Sequence, residues 1–184
     1  RAIMNKDDET GISIMQIEEG LDTGPFMKQI KIKIDQQTTT DLLSKKLSKL
    51  GSDNILKCIK QIDEKKAKFI KQDKTKATYA YKINKDESKI NWNDSSSSIL
   101  SKINALNPAP GAWFMYNEVR YKIWKAVISS LKGSPGEIID SLATIACNQK
   151  SIKILEIQRE GKNKLSINDF LVGNKFLKGD KITL

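Results

Sequence analysis

Two apolar runs meet across the loop Glu19-Gly20-Leu21-Asp22-Thr23-Gly24-Pro25, and no other stretch constrains the fold as tightly. Upstream, Ile12, Ile14 and Ile17 alternate loosely with Ser13 and Gln16. Downstream, Phe26 to Ile34 sets Ile30, Ile32 and Ile34 against Lys31 and Lys33, the period of a half-buried strand. The loop therefore joins two strands and holds one acidic side chain, Asp22, between two glycines. Gly20 and Gly24 allow backbone conformations with positive φ, and they leave room for a ligand against the main chain. A carboxylate at a strand end is where α/β proteins often keep an acid or a base. On spacing alone, a plain acidic hairpin turn explains the same residues.

The rest of the composition excludes several classes of chemistry. With 184 residues the chain has material for one large domain or two small ones. No apolar run approaches the ~20 residues that span a bilayer, and the N-terminal residues lack the order of a secretory signal. There is no histidine, which removes His-based metal sites, His-activated nucleophiles and a His base from this chain. Cys58 and Cys147 lie far apart without metal-like spacing and read as small buried thiols of a reducing cytoplasm. Residues 1–67 carry 12 basic and 11 acidic side chains, while residues 68–184 carry 20 and 11. Nearly all of the +10 excess thus sits in the second part. It fits either a solvated lysine-rich surface or a polyanionic partner.

Along the chain, Leu42, Leu43, Leu47 and Leu50 fall at helical spacing after a capping cluster at Thr38, Thr39 and Thr40. Gly51 interrupts, and Ile55, Leu56, Ile59 and Ile62 resume the stripe. This predicts two consecutive helices, or one broken helix, packed by its stripe on a sheet. Residues 67–88 lack periodicity and read as a connector. A short helix is expected from Ser95-Ser96-Ser97-Ser98 to Leu106, ended by Asn107-Pro108-Ala109-Pro110-Gly111. A hairpin turning at Asn117-Glu118 follows, then short runs near 136–139, 143–147 and 152–157, and a last helix over 166–171. Several short strands at this spacing suggest a small barrel. Trp113, Tyr116, Tyr121 and Trp124 are either barrel core or platforms for nucleic-acid bases.

The string Glu9-Thr10-Gly11-Ile12-Ser13-Ile14-Met15-Gln16 and the following Glu18-Glu19-Gly20-Leu21-Asp22-Thr23-Gly24-Pro25 closely resemble the 10-formyltetrahydrofolate-dependent formyltransferases. Trp92, Asn107-Pro108 and Pro110-Gly111-Ala112-Trp113 are similar to the start of the C-terminal barrel in the same family. The resemblance implies an α/β plus β chain. Residues 1–67 would be the C-terminal part of a Rossmann-like catalytic domain, 68–88 a linker, and 89–184 a small OB-like β-barrel that binds tRNA. It makes Asp22 catalytic and gives Gly20, Leu21, Thr23 and Gly24 the folate side of the pocket. Lys82, Lys85, Arg120 and Lys122 become contacts to tRNA. In the family an Asn, a His and a Leu-Pro folate loop precede the position of Arg1, so the chain is expected to be part of a longer enzyme and inactive alone. That Asn and His would polarise the formyl oxygen. Asp22 would orient the His, favour its charged form and place a proton-shuttling water.

The implied co-substrate is 10-formyltetrahydrofolate, with no metal. The implied acceptor is initiator methionyl-tRNA, the compartment the cytoplasm, and the enzyme a monomer without membrane association. Relatives acting on glycinamide ribonucleotide stop after the first domain, so residues 89–184 argue against that acceptor. Relatives acting on amino sugars can carry a similar barrel and are the nearest competitor. A non-catalytic RNA-binding module is the alternative from another class.

Overall fold

The computed structural model describes residues 1–182. A single helical turn, α1 (Ala2–Asn5), ends at Lys6 in the left-handed region at φ 62°. Strands β1 (Glu9–Met15) and β2 (Phe26–Lys33) then form the expected hairpin, with Ile12 opposite Ile30 and a bulge between Ile14 and Met15. Helix α2 (Thr40–Asp63) starts at Thr39, whose hydroxyl accepts from the Leu42 N–H at 3.4 Å. Asp41 in its first turn complements the helix dipole.

Two expectations for this region need correction. Helix α2 runs through Gly51 without a break. A mid-helix glycine costs only about 1 kcal/mol relative to alanine, too little to divide 24 residues that hold together on either side. The apolar stripe is also mostly uncovered: Leu43 is buried, whereas Leu42, Ile55, Leu56, Ile59 and Ile62 are all exposed. Strands β1 and β2 make most of the contacts to the helix, and only its N-terminal part also meets Ile3 and Ala105 among the described residues. A ~36 Å helix at 1.5 Å per residue outruns what a two-stranded hairpin can cover.

The second part supplies most of the core. Helix α3 (Ser96–Ala105) is capped by Ser95, whose hydroxyl accepts from the Ser98 N–H at 3.2 Å. Strands β3 (Ala112–Tyr116) and β4 (Val119–Ser129) turn at Asn117 and Glu118, with φ of 48° and 62°, the double positive φ of a tight hairpin turn. Strand β6 (Ser151–Arg159) pairs with β4 along one edge. Strands β5 (Thr144–Ala146) and β7 (Lys164–Ser166) follow one another along its other edge. The five strands make a curled antiparallel sheet in the order β3-β4-β6-β5, with β7 also paired to β6. Bulges around Lys125 help to bend it. Among the described residues no ladder joins β3 to β5. The run near 136–139 contributes only single bridges, Glu137 to Lys181 and Ile138 to Ile145. Helix α4 (Ile167–Gly173) is capped by Ser166, so it begins one residue after the spacing put it.

Inside the curl lie Trp92, Ile99, Ile103, Phe114, Ile123 and Ile154, each all but inaccessible. Trp92 meets Phe114 edge-on at 5.7 Å, and Phe114 stacks on Tyr121 at 5.6 Å. Tyr116 and Tyr121 are therefore core. Trp113 and Trp124 point to the other face and are half-buried. Both cysteines are buried and unpaired, and burial pushes the Cys147 thiol up to about 12.

A small cluster of Ile3, Leu43 and Ala105 joins the two parts of the chain, flanked by Met4, Ile32, Ile34 and Leu47. Polar bonds secure it. Asn104 donates to the Gln36 carbonyl at 2.8 Å, and the Thr40 hydroxyl to the Ala105 carbonyl at 2.7 Å.

Candidate active-site loop and basic connector

The Asp22 loop is closed at its neck. The Gln16 N–H donates to the Pro25 carbonyl at 3.0 Å. Phe26 and Ile70 exchange both backbone bonds, at 3.0 and 2.8 Å, so the connector runs beside the first residue of β2. Gln72 then grips the loop: its amide nitrogen donates to the carbonyls of Asp22 at 2.8 Å and Gly24 at 2.7 Å. Two donors on one planar group set the separation of two carbonyls, and with it the backbone between them.

The two glycines do not use the conformational freedom they allow. Neither Gly20 nor Gly24 takes positive φ; Asp22 does, at 54°. Aspartate tolerates the left-handed region better than most residues because its short polar side chain finds local partners. Gly24 is required for space, since a Cβ there would lie 1.9 Å from the Gln16 carbonyl oxygen. Gly20 is less constrained. A Cβ there would meet Thr23 Oγ1 at 2.6 Å, the rotatable side chain that donates to the Gly20 carbonyl.

The outcome is a carboxylate held out by a fixed backbone. Asp22 is exposed, and among the described residues its side chain has no hydrogen-bond or ion-pair partner. Leu21 beside it is 89% exposed and Ile17 is 92% exposed. An acceptor-only group next to uncovered apolar surface suits proton handling at the edge of a flat, partly apolar ligand.

The four basic residues singled out by sequence fall into two pairs. Lys82 and Lys85 are exposed on the connector, and neither side chain has a partner among the described residues. Arg120 and Lys122 lie on β4 and are engaged. Arg120 pairs with Glu160 and sits 5.9 Å from the Trp113 ring centre. Lys122 donates to the Pro110 carbonyl at 2.8 Å and sits 5.7 Å from the Trp124 ring centre. The structure does not bring these two pairs into one cluster with Asp22.

Gln72, Arg1 and Glu87 are the residues that sequence reasoning missed. Arg1 meets Glu87 with both terminal nitrogens, at 2.6 and 3.0 Å. Its remaining donors take the carbonyls of Tyr81 at 2.7 Å and Lys82 at 2.8 Å. This is the planar fork that lysine cannot reproduce. Glu87 also accepts from the Asn84 N–H at 2.8 Å. The Arg1 bond, then the Asn84 bond, hold its carboxyl at about 2. Because the folded value lies below the ordinary 4.5, the stabilisation is complete above pH ~4.5 and disappears as pH falls toward 2. Glu87→Gln should remove that component, so thermal midpoints of variant and parent should converge as pH is lowered through this window. Midpoints that stay a constant distance apart would show that the charge is not what binds the connector.

Among the described residues no three His, Cys, Asp or Glu side chains gather to hold a metal ion, and no helix is long and apolar enough to cross a membrane.

Comparison with known proteins accords with these strings and this fold. Residues 82–175 match the family described as formyl transferase, C-terminal domain, and residues 1–59 match the family described as formyl transferase. The methionyl-tRNA formyltransferase of Pelagibacter ubique is 49% identical over the whole chain. That of Bradyrhizobium diazoefficiens is 36% identical, again over the whole chain. The chain spans 59% and 60% of the lengths of these two relatives. In structure it is similar to HypX from Aquifex aeolicus in complex with tetrahydrofolic acid, with a TM-score of 0.71 and 17% identity, covering 100% of this chain and 35% of that one.

Proposed function

The chain belongs to the formyl transferase family, and from this premise we propose that the whole protein moves a formyl group from 10-formyltetrahydrofolate to the amine of initiator methionyl-tRNA for translation initiation. In this reading residues 1–67 belong to the catalytic domain, 68–88 are the linker, and 89–184 are an OB-like, tRNA-binding domain. The observation that carries the reading is the exposed carboxylate of Asp22, fixed by Gln72 and Gly24 at the tip of the β1–β2 hairpin. The relatives named methionyl-tRNA formyltransferase at 49% and 36% identity support that acceptor over an amino sugar.

The loop fits one side of a folate. Leu21 offers uncovered apolar surface, and the exposed backbone of Gly20, Leu21 and Thr23 offers polar groups at the same edge. When bound, 10-formyltetrahydrofolate supplies the activated formyl carbon. Formyl transfer needs a neutral attacking amine and a route for its proton to the departing nitrogen. In this reading Asp22 would serve that route as an acceptor, directly or through one water. The same negative charge favours a protonated donor aimed at the developing oxyanion.

Full-length protein should formylate methionyl-tRNA in the presence of 10-formyltetrahydrofolate and leave sugar nucleotides bearing an amine untouched. Formylation of the sugar alone would move the protein to the amino-sugar branch, and RNA binding with no transfer to either acceptor would make it a binding module. The excess basic charge of residues 68–184 carries a second expectation. Affinity for methionyl-tRNA should fall linearly with the logarithm of salt, by about 0.7–0.9 in slope for each phosphate neutralised. A flat salt profile would exclude a phosphate-tracking surface.

A further inference from the structure

The connector carries an arrangement that charge alone does not explain. Tyr79 and Tyr81 lie with ring planes 26° apart and centres at 6.3 Å, yet they are 79% and 77% exposed. Two residues apart on extended backbone, the side chains fall on the same side of the chain. Their backbone is fastened at both ends. Upstream, Gln72 is bonded to the Asp22 loop, and Asp73 caps the turn at Lys74–Lys76 through the Thr75 N–H at 3.0 Å. Downstream, Arg1 holds the carbonyls of Tyr81 and Lys82 and is itself braced by Glu87. Residues 68–85 contain six lysines and a single acidic residue, Asp73. Lys74 and Lys76 precede the tyrosines and Lys82 and Lys85 follow them.

We propose that Tyr79 and Tyr81 are a stacking platform for unpaired bases at the 3′ end of an RNA, whose phosphates run along the flanking lysines toward the Asp22 loop. The proposal rests on the reading that the acceptor is an aminoacylated RNA, whose reactive amine sits at that end. Every base has a π-face, so exposed tyrosines beside cations bind single-stranded RNA without reading its sequence. A double-stranded stem keeps its faces covered and would use the lysines only. Placement favours the single strand. The path from Gln72 to Tyr79 is at most about 25 Å of extended chain, and it begins at the loop that presents Asp22. The Arg1 fork lowers the ordering cost, because the backbone that carries the rings need not be fixed at the moment of binding.

The test uses full-length protein and two hairpin RNAs with the same stem, one ending in an unpaired 3′ extension and one blunt. The parent protein should prefer the extended RNA. Tyr79→Ala and Tyr81→Ala should each weaken that RNA by about 5- to 150-fold, the effect of removing one stacking partner, and leave the blunt RNA unchanged. Tyr79→Phe and Tyr81→Phe should restore the preference, since the ring and not the hydroxyl does the stacking. Added salt should weaken both RNAs together and preserve the ratio between Phe and Ala variants. Equal losses on both RNAs, or Phe variants no better than Ala, would overturn the platform. The two readings fail separately. A Tyr-dependent preference without formyl transfer to methionyl-tRNA would sink the acceptor reading alone. Formyl transfer with an unchanged KM for methionyl-tRNA in both Ala variants would sink the platform alone.

Discussion

Full-length protein carrying Asp22→Asn is expected to lose about 10²–10⁴-fold in kcat, the range for removing a positioned acid–base group, while its thermal midpoint and folate affinity stay unchanged. The structure makes asparagine the informative replacement. Asp22 sits at φ 54°, and asparagine enters the left-handed region as readily as aspartate. Its backbone carbonyl still accepts from Gln72. The side chain has no partner among the described residues, so the folded loop loses nothing when the charge goes. On the proposed function, what remains is the loss of a proton acceptor and of a negative charge beside the formyl group. Asp22→Ala would be less clean, because a residue without a local hydrogen-bonding group pays about 1–2 kcal/mol in that conformation. An equal fall in kcat and kcat/KM for Asp22→Asn would mean that the interaction is made only in the transition state. An unchanged kcat would remove Asp22 from the chemistry.

The sequence made the hairpin around Asp22 readable because its alternation is local and one face is half-buried. The capping clusters at Thr38–Thr40 and Asp94–Ser96 were readable for the same reason, because a hydroxyl and the N–H it serves lie three residues apart. Which residue caps was not readable, and the spacing places Ser166 inside the last helix and not at its cap. Strand β7 was not. It is three exposed residues long, and only its pairing with β6 makes it a strand. The continuity of α2 through Gly51 was hidden because a propensity penalty of about 1 kcal/mol is outweighed by contacts elsewhere in the helix. The parts of the site that were missed are long-range. Gln72 reaches back 50 residues to Asp22, and Arg1 reaches forward 86 residues to Glu87. Neither spacing has a period, and neither residue type is unusual on a polar surface. The family strings single out Asp22 as the candidate; what holds its backbone in place is visible only when the connector lies beside the hairpin.

The positions of the two loop glycines lead to the second large effect. Gly24→Ala is expected to lower kcat/KM by about 10²-fold, the cost of moving a reacting group by roughly 1 Å, and to destabilise the protein by about 1–3 kcal/mol through overpacking. The new Cβ would stand 1.9 Å from the Gln16 carbonyl oxygen. That oxygen cannot yield, because Gln16 also donates to Pro25 and closes the neck of the loop. The loop must therefore open, and the Asp22 and Gly24 carbonyls leave the spacing that Gln72 grips. Gly20→Ala is the control. Its Cβ would meet only the Thr23 side chain, Oγ1 at 2.6 Å, Cγ2 at 2.9 Å and Cβ at 3.3 Å, with no backbone atom in the way, and its own backbone is not in the left-handed region. Activity and stability should stay close to those of the parent, within about 0.5 kcal/mol as for most surface substitutions. If both variants were equally impaired, flexibility of the loop and not its fixed shape would be what the glycines provide. If Gly24→Ala kept full activity, the position of Asp22 would not depend on the neck at all, and its role as a positioned acid–base group would have to be given up.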